Sequence, residues 1–374
     1  MEIPEQTILV LQGGGALGAY QAGAYAALAE AGHEPGWVAG ISIGAVNAAL
    51  ICGNPPARRE AALRHFWEGI TASLPAPPFA LGPTVRKLYG EVAAASVTMT
   101  GVPGFFRPNL PFAFAPVLPH PALGVYDTAP LRDTLLDLVD FDYLNDAGPR
   151  LSVGAVDIET ANFAYFDSRE RTIGPEHVMA SGALPPGFPP VAIDGRLYWD
   201  GGLVSNTPLQ YVMDNLGAEP VVIFQVDLFA ARGMAPDAMT DVGQRQKDIQ
   251  YSSRTRLTTD RYAELHALRR AASRLAARLP KEMQDDPDLK RLTAAGPEAP
   301  IKLVELIHRK QGFEGGAKDY DFSRDSMTRH WAEGAADVAR TLAHPKWLAR
   351  KTGQDGLQIL DPGAAGTGRQ EKRT

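Results

Sequence analysis

The chain has 374 residues, 45% hydrophobic and 21% charged, with 37 Gly and 30 Pro, a composition that suits a loop-rich globular protein and excludes a disordered one. Its net charge of -6 provides no global field for attracting nucleic acid, which is therefore not an expected partner. The single cysteine, Cys52, rules out an internal disulfide and any thiolate metal cluster, and no apolar run of about 18 to 20 residues is long enough for a spanning helix.

The N-terminus, Met1 to Gln6, lacks the positive flank and apolar stretch of a secretory signal, so the expected location is cytoplasmic, with at most peripheral membrane contact. Thr7 to Leu11 is a continuous apolar, β-branched run of the kind found in strands covered on both faces. Gly13 to Gly15 break it, and Ala16 to Glu30 follows as a helix with Leu17, Tyr20, Ala24 and Leu28 at helical spacing. A second strand, glycine turn and helix unit spans Trp37 to Ala39, Gly40 to Gly44 and Ala45 to Cys52. Two such units in succession predict a parallel α/β core.

Arg58 to Ile70 reads as an amphipathic helix, and the stretch from about Leu74 to Gly124 as a Pro-rich insert carrying Phe105, Phe106, Phe112 and Phe114, a candidate lid. A helix is expected over Pro130 to Leu138 with Thr128 as its cap, then strands over Arg150 to Asp157 and Phe163 to Asp167. Glu176 to Ala183 predicts a short helix. Arg196 to Trp199 and Pro220 to Val226 predict strands.

After about residue 230 the chain turns to helix formers rich in Arg. Leu265, Leu268, Ala272, Leu275 and Leu279 make one apolar stripe there, read as the buried side of a docked helix. Ile301 to His308 fits strand or helix, Ser323 to Leu342 reads as a helix capped by Ser323, and the Gly-rich end reads as a disordered tail. The expected division is a catalytic domain over 1-230, a mainly helical region over 231-350 and a tail over 351-374.

Gly40-Ile41-Ser42-Ile43-Gly44 lies between an apolar strand and a helix, the setting of a nucleophile elbow, with Ser42 raised onto a helix N-terminus whose dipole favours developing negative charge. A bland alternative is a turn in which Ser42 only caps the helix. Gly13-Gly14-Gly15-Ala16-Leu17-Gly18 fits a dinucleotide fingerprint, but the acidic residue at the right distance, Glu34, precedes a strand when it should end one. The other use of such a loop is as an oxyanion hole of backbone N–H groups, which explains both glycine motifs together. Asp200-Gly201-Gly202 ends a short strand, where a turn can aim the carboxylate. None of the eight histidines has the setting of a general base, which leaves Asp200 to take the Ser42 proton directly.

These three motifs, in this order and spacing, together with Met179 to Val191 and Tyr198-Trp199 leading into Asp200, resemble the patatin-like phospholipase family over roughly residues 6 to 228. The resemblance implies a three-layer α/β/α fold with a mostly parallel sheet. It also implies Ser42 as nucleophile, Asp200 as proton acceptor and an oxyanion loop over Gly13, Gly14, Gly15, Ala16 and Gly18. Gly40, Ile41, Ile43 and Gly44 would shape the elbow, and Gly201 and Gly202 the turn under the base. Leu17 departs from the pattern, since many relatives carry Arg or Lys there. The C-terminal extension, with His308-Arg309-Lys310 and Phe322 to Trp331, is similar to that of a bacterial subgroup. The expected activity is lipid acyl-ester hydrolysis without metal or cofactor; the rivals are acyl transfer, a non-catalytic lipid-binding protein and a dinucleotide-binding protein.

Overall fold

The apolar runs of the sequence become the centre of one twisted sheet. The computed structural model describes residues 5-71, 83-109, 123-237, 239-252, 255-280, 283, 285-293, 300-309, 318-350 and 356-362. The chain begins as β1 (Gln6–Leu11), α1 (Gly18–Glu30), β2 (Trp37–Gly40) and α2 (Ile43–Cys52), followed by α3 (Pro56–Ile70) and α4 (Pro83–Thr100). A two-stranded ribbon, β3 (Arg107–Pro108) with β4 (Tyr126–Asp127), precedes α5 (Ala129–Leu138) and α6 (Phe141–Asp146). Next come β5 (Arg150–Asp157), β6 (Phe163–Asp167), α7 (Pro175–Ser181), β7 (Val191–Ile193), β8 (Arg196–Asp200), α8 (Leu209–Asp214) and β9 (Val221–Asp227). The C-terminal part contributes α9 (Met239–Tyr251), α10 (Thr255–Ala276), α11 (Pro287–Thr293), β10 (Ile301–Ile307), α12 (Arg324–Leu342), α13 (Pro345–Leu348) and β11 (Leu357–Leu360).

The strand order is β11-β10-β9-β1-β2-β5-β8-β7, with β6 also paired to β5. The run from β11 to β5 is parallel throughout, and β6, β7 and β8 add antiparallel pairs at one side. Alternate residues of β1 enter opposite layers. Leu9 and Leu11 pack with α1, α2 and α3 through Tyr20, Val46 and Trp67, whereas Ile8 and Val10 pack with Leu209 and Val212 of α8. Burial on both faces is what makes β1 and β9 read as unbroken apolar runs.

Three expectations change. Within the Pro-rich insert, residues 83-100 are helical: Ala93, Ala94 and Val97 are buried, and the prolines that dominate the sequence there only flank the helix. The Leu stripe of α10 is not packed away, since Leu265, Leu268 and Leu275 are exposed. Leu357–Leu360, inside the segment read as tail, is a strand parallel to β10. Phe112, Phe114, residues 351-355 and residues 363-374 lie outside the described residues.

Ile301–Ile307 resolves as a strand because it inherits the register of β9 over its whole length, from Ile301 opposite Val221 to Ile307 opposite Asp227. The C-terminal region is thus tied into the sheet, and α12 crosses α1 at very short range. A Cβ on Gly23 would strike the backbone of Trp331, and one on Gly334 the backbone of Tyr20, so both helices need glycine at the crossing. Tyr20 adds a hydrogen bond from its hydroxyl to Asp337 Oδ2 at 2.6 Å. Among the described residues no helix is long and apolar enough to cross a membrane.

Gly334→Val is expected to overpack this crossing and lower the unfolding free energy by about 1 to 3 kcal/mol, read from the shift of the urea midpoint. A midpoint equal to that of the parent protein would show that the crossing contributes little.

Candidate active site

The site is assembled by the way two strands share one edge of β5. β2 pairs with the first half of β5 and ends with Gly40 opposite Val153. Since β6 occupies the other edge of β5, β8 continues along the edge that β2 has left, with Asp200 opposite Ala155. Asp200 therefore ends its strand just beyond the point where β2 turns into Ser42.

Ser42 has φ 55° and ψ -125°, a left-handed conformation that costs a non-glycine residue energy of order 1 to 3 kcal/mol. The turn is tight enough that a Cβ on Gly40 would meet the backbone of Gly44, and one on Gly44 the carbonyl of Leu11, which accounts for glycine at both flanks. The strained turn is clasped from outside. Ser42 N–H donates to the carbonyl of Ser181 (3.1 Å) and to its Oγ (3.0 Å), and that hydroxyl in turn donates to Gly154 O at 2.6 Å.

The glycine loop after β1 faces the same cavity. Gly13 N–H donates to Asn206 O (3.2 Å), and Asn206 Nδ2 returns hydrogen bonds to Gly13 O and Tyr251 O, both at 3.0 Å. The N–H groups of Gly14 and Gly15 have no hydrogen-bond partner among the described residues. Gly13, Gly14 and Gly15 line the cavity with Ser42, Asp200 and Gly202. Ala16 and Gly18 stand behind it, where Ala16 is buried and Gly18 lies against Ile43 and Trp67. Ile43 lines the cavity, Ile41 is buried beneath it, and Gly201 packs on the Gly154 backbone. Leu17 is fully buried in the core. The cations brought near the loop, Lys247 and Lys318, are paired with Asp319 (2.8 Å) and Asp248 (3.2 Å).

Asp200 is 2% exposed. Burial pushes its carboxyl up to about 7, opposed by the hydrogen bond from the Gly202 N–H (2.7 Å) and by the nearby Ser42 hydroxyl, which favour the charged form. Much of the remaining cavity wall is apolar and aromatic: Phe105 and Phe106 from the insert, Phe188, and Phe322 from the C-terminal region, with ring centroids 5.1 to 6.4 Å apart. No histidine is among the described residues lining it. His33 packs between Phe224 and Trp347, His177 against Phe166, and His344 caps α13. Glu34, the acidic residue that a dinucleotide fingerprint would need, is engaged with Arg59 and Tyr25.

Several residues of the site have no motif in the sequence. Gln12 binds Thr207 Oγ1 (2.9 Å) and Tyr251 O (3.0 Å) through Nε2, and accepts from the Leu228 and Phe229 N–H groups (2.6 and 2.9 Å) through Oε1. Gln21 donates to Gln12 O (2.6 Å), Asn47 to Gly18 O (3.0 Å) and Gln21 Oε1 (2.9 Å), and Trp67 to Asn47 Oδ1 (3.0 Å). Their one available signal is polarity inside otherwise apolar strand and helix segments. Asp319 and Tyr320 reach the cavity from the C-terminal region, and no sequence pattern announces them.

A tight serine turn, a glycine loop and a buried carboxylate thus meet at one cavity of this sheet. The model of the Patatin-like phospholipase family matches residues 9-213, more than half of the chain, and a second model, Patatin phospholipase, matches residues 249-354. The chain belongs to the patatin-like phospholipase family. Among solved structures it is similar to VipD from Legionella pneumophila, with 14% identity, a TM-score of 0.38, and coverage of 90% of this chain and 67% of that one. It is also similar to ExoU of the type III secretion system of Pseudomonas aeruginosa, in two structures of the complex with SpcU. Both share 15% identity and a TM-score of 0.29, covering 79% and 91% of this chain and 61% and 76% of theirs. No curated protein matches the chain by sequence.

The raised carboxyl of Asp200 has a stability consequence. A carboxyl that titrates higher in the folded state than in the unfolded one stabilises the fold while neutral, and that contribution is lost as pH rises from about 4 through about 7. Asp200→Asn removes the titration, so its stability relative to the parent protein is expected to grow between pH 5 and pH 8, by at most about 1.4 kcal/mol per pH unit. Urea denaturation of both proteins across that range would show the divergence; parallel curves would mean that Asp200 is ionised throughout.

Proposed function

We propose that this protein is a lipid acyl hydrolase of the phospholipase A or lysophospholipase type, in which Ser42 and Asp200 form the catalytic dyad. The observation that carries the reading is that Ser42 and the buried Asp200 carboxyl line one largely apolar cavity, with no histidine among the described residues of its lining. Asp200 takes the hydroxyl proton as Ser42 attacks the ester carbonyl. Negative charge then gathers on the carbonyl oxygen, and the Gly14 and Gly15 N–H groups stabilise it. Asp200 returns the proton to the leaving alcohol, leaving an acyl-enzyme on Ser42. Water, deprotonated by the same carboxylate, releases the fatty acid.

The aromatic wall suits an acyl chain because rings offer large apolar area without polar groups to satisfy. Peripheral membrane contact also belongs to this reading. On α4, Val85, Val92 and Met99 recur at seven-residue intervals, which places them along one line of the helix, and they are 55%, 60% and 79% exposed. The helix leads directly into the turn that carries Phe105 and Phe106 to the cavity, a placement suited to an enzyme working at a lipid surface.

Ser42→Ala is expected to lower turnover on p-nitrophenyl esters and on phospholipid by three orders of magnitude or more and to abolish labelling by a fluorophosphonate. Turnover or labelling at the parent level would overturn the assignment of Ser42. The rate of acylation should rise with pH through an apparent value near 7, as the Asp200 carboxyl ionises. A rate that stays flat from pH 5 to pH 9 would remove Asp200 as the base. Val92→Glu combined with Met99→Glu should weaken activity on liposomes about tenfold or more while leaving a water-soluble ester unaffected. Equal activity on both substrates would place the membrane contact elsewhere.

A further inference from the structure

Away from the cavity of Ser42, the end of β10 and the facing side of α12 bring two imidazoles and a carboxylate together. His308 directly follows β10, and His330 and Glu333 stand three positions apart on α12, so their side chains leave one face of the helix. One nitrogen or oxygen of each lies within 4.8 Å of the other two, and His308 Nδ1 is 3.5 Å from Glu333 Oε2. The two rings meet edge to face with centroids 5.1 Å apart. Both histidines are 1% exposed, and the Glu333 side chain is 27% exposed.

His308 and Glu333 border a cavity of about 700 Å³. Tyr20, Glu305 and Asp337 also line it, and among the described residues it shares no wall with the cavity of Ser42. The guanidinium groups nearby have their own carboxylates: Arg340 is paired with Asp337, and Arg309 with Asp361 at 2.9 Å. An incoming cation therefore meets positive charge that is already compensated.

We propose that His308, His330 and Glu333 bind one divalent transition-metal ion, with zinc(II) the best match, as a tie between the sheet and the C-terminal helix. Two neutral imidazoles and one carboxylate form a donor set that such ions favour, and neither calcium nor magnesium takes nitrogen readily. Ligand atoms about 2.0 to 2.1 Å from a tetrahedral zinc stand about 3.3 Å from one another, so from a spread of up to 4.8 Å the cluster needs to close by at most about 1.5 Å, within reach of side-chain rotation. The frame is otherwise rigid: β10 is hydrogen-bonded on both sides, and α12 is locked on α1 by the contact at Gly23 and Gly334. The cavity side leaves room for water as a fourth ligand. Such an ion would pin the element after which the chain reaches β11, and it would stand apart from the chemistry at Ser42.

The test is calorimetric titration of the chelator-treated, dialysed full chain with zinc chloride, alongside His308→Ala, His330→Asn and Glu333→Gln. One equivalent should bind to the parent protein and raise its thermal midpoint, and each substitution should weaken that binding tenfold or more and remove the thermal shift. Glu333→Gln keeps the size and hydrogen-bonding capacity of the side chain, so it separates metal ligation from a purely hydrogen-bonded cluster even if a histidine variant folds poorly. Cobalt(II) should produce visible d–d bands in the parent protein that Glu333→Gln lacks. Absence of saturable zinc binding in the parent protein, or binding that Glu333→Gln and His330→Asn leave unchanged, would overturn the proposal.

Discussion

A carboxylate held out of water next to a serine hydroxyl is costly to keep ionised, and the geometry around Asp200 limits that cost. The Gly202 N–H and the Ser42 hydroxyl are the groups that favour its charge, and both depend on where the backbone places them. The placement begins with β8 taking over from β2 along β5, which sets Asp200 beside the elbow. It continues with Ser181, whose carbonyl and hydroxyl both accept from the Ser42 N–H and hold the strained turn open. Loosening either would let water reach the carboxylate and return it towards an ordinary acidity.

Beneath the site runs a chain of buried amides. Gln12, Gln21 and Asn47 connect the end of β1 to α1, α2 and Trp67 of α3, while Gln12 also reaches Tyr251 and the turn after β9. Each is fully buried or nearly so, and an unpartnered amide there would carry a desolvation cost of about 1 to 3 kcal/mol. The network therefore fixes the relative position of the glycine loop and the elbow more narrowly than apolar packing alone would. It also draws in the C-terminal region, since Tyr251 ends α9.

The α/β core was legible in the sequence because the short, β-branched apolar runs Thr7 to Leu11 and Pro220 to Val226, the first closed by glycines, fit strands buried on both faces. The tight turn at Ser42 was legible for a related reason: glycines at 40 and 44 around a serine, between strand and helix, answer a steric demand that few other arrangements make. Residues 83-100 were misread because prolines on either side outweighed the helix formers between them. The Leu stripe of α10 was misread because periodicity shows which side of a helix is apolar and not what covers it. Asp319, Tyr320, Phe322 and the pairing of His308 with His330 join positions far apart in the chain, and local pattern carries no signal for them.

The cavity borrows one wall from residues 319 to 322, although its elbow, glycine loop and carboxylate all lie before residue 203. On the ribosome the chain therefore carries Ser42, the glycine loop and Asp200 long before it has a chamber for them to open into. Until Phe322 has emerged, the aromatic wall is incomplete. Enclosure of the site thus waits for residues that follow Asp200 by more than a hundred positions.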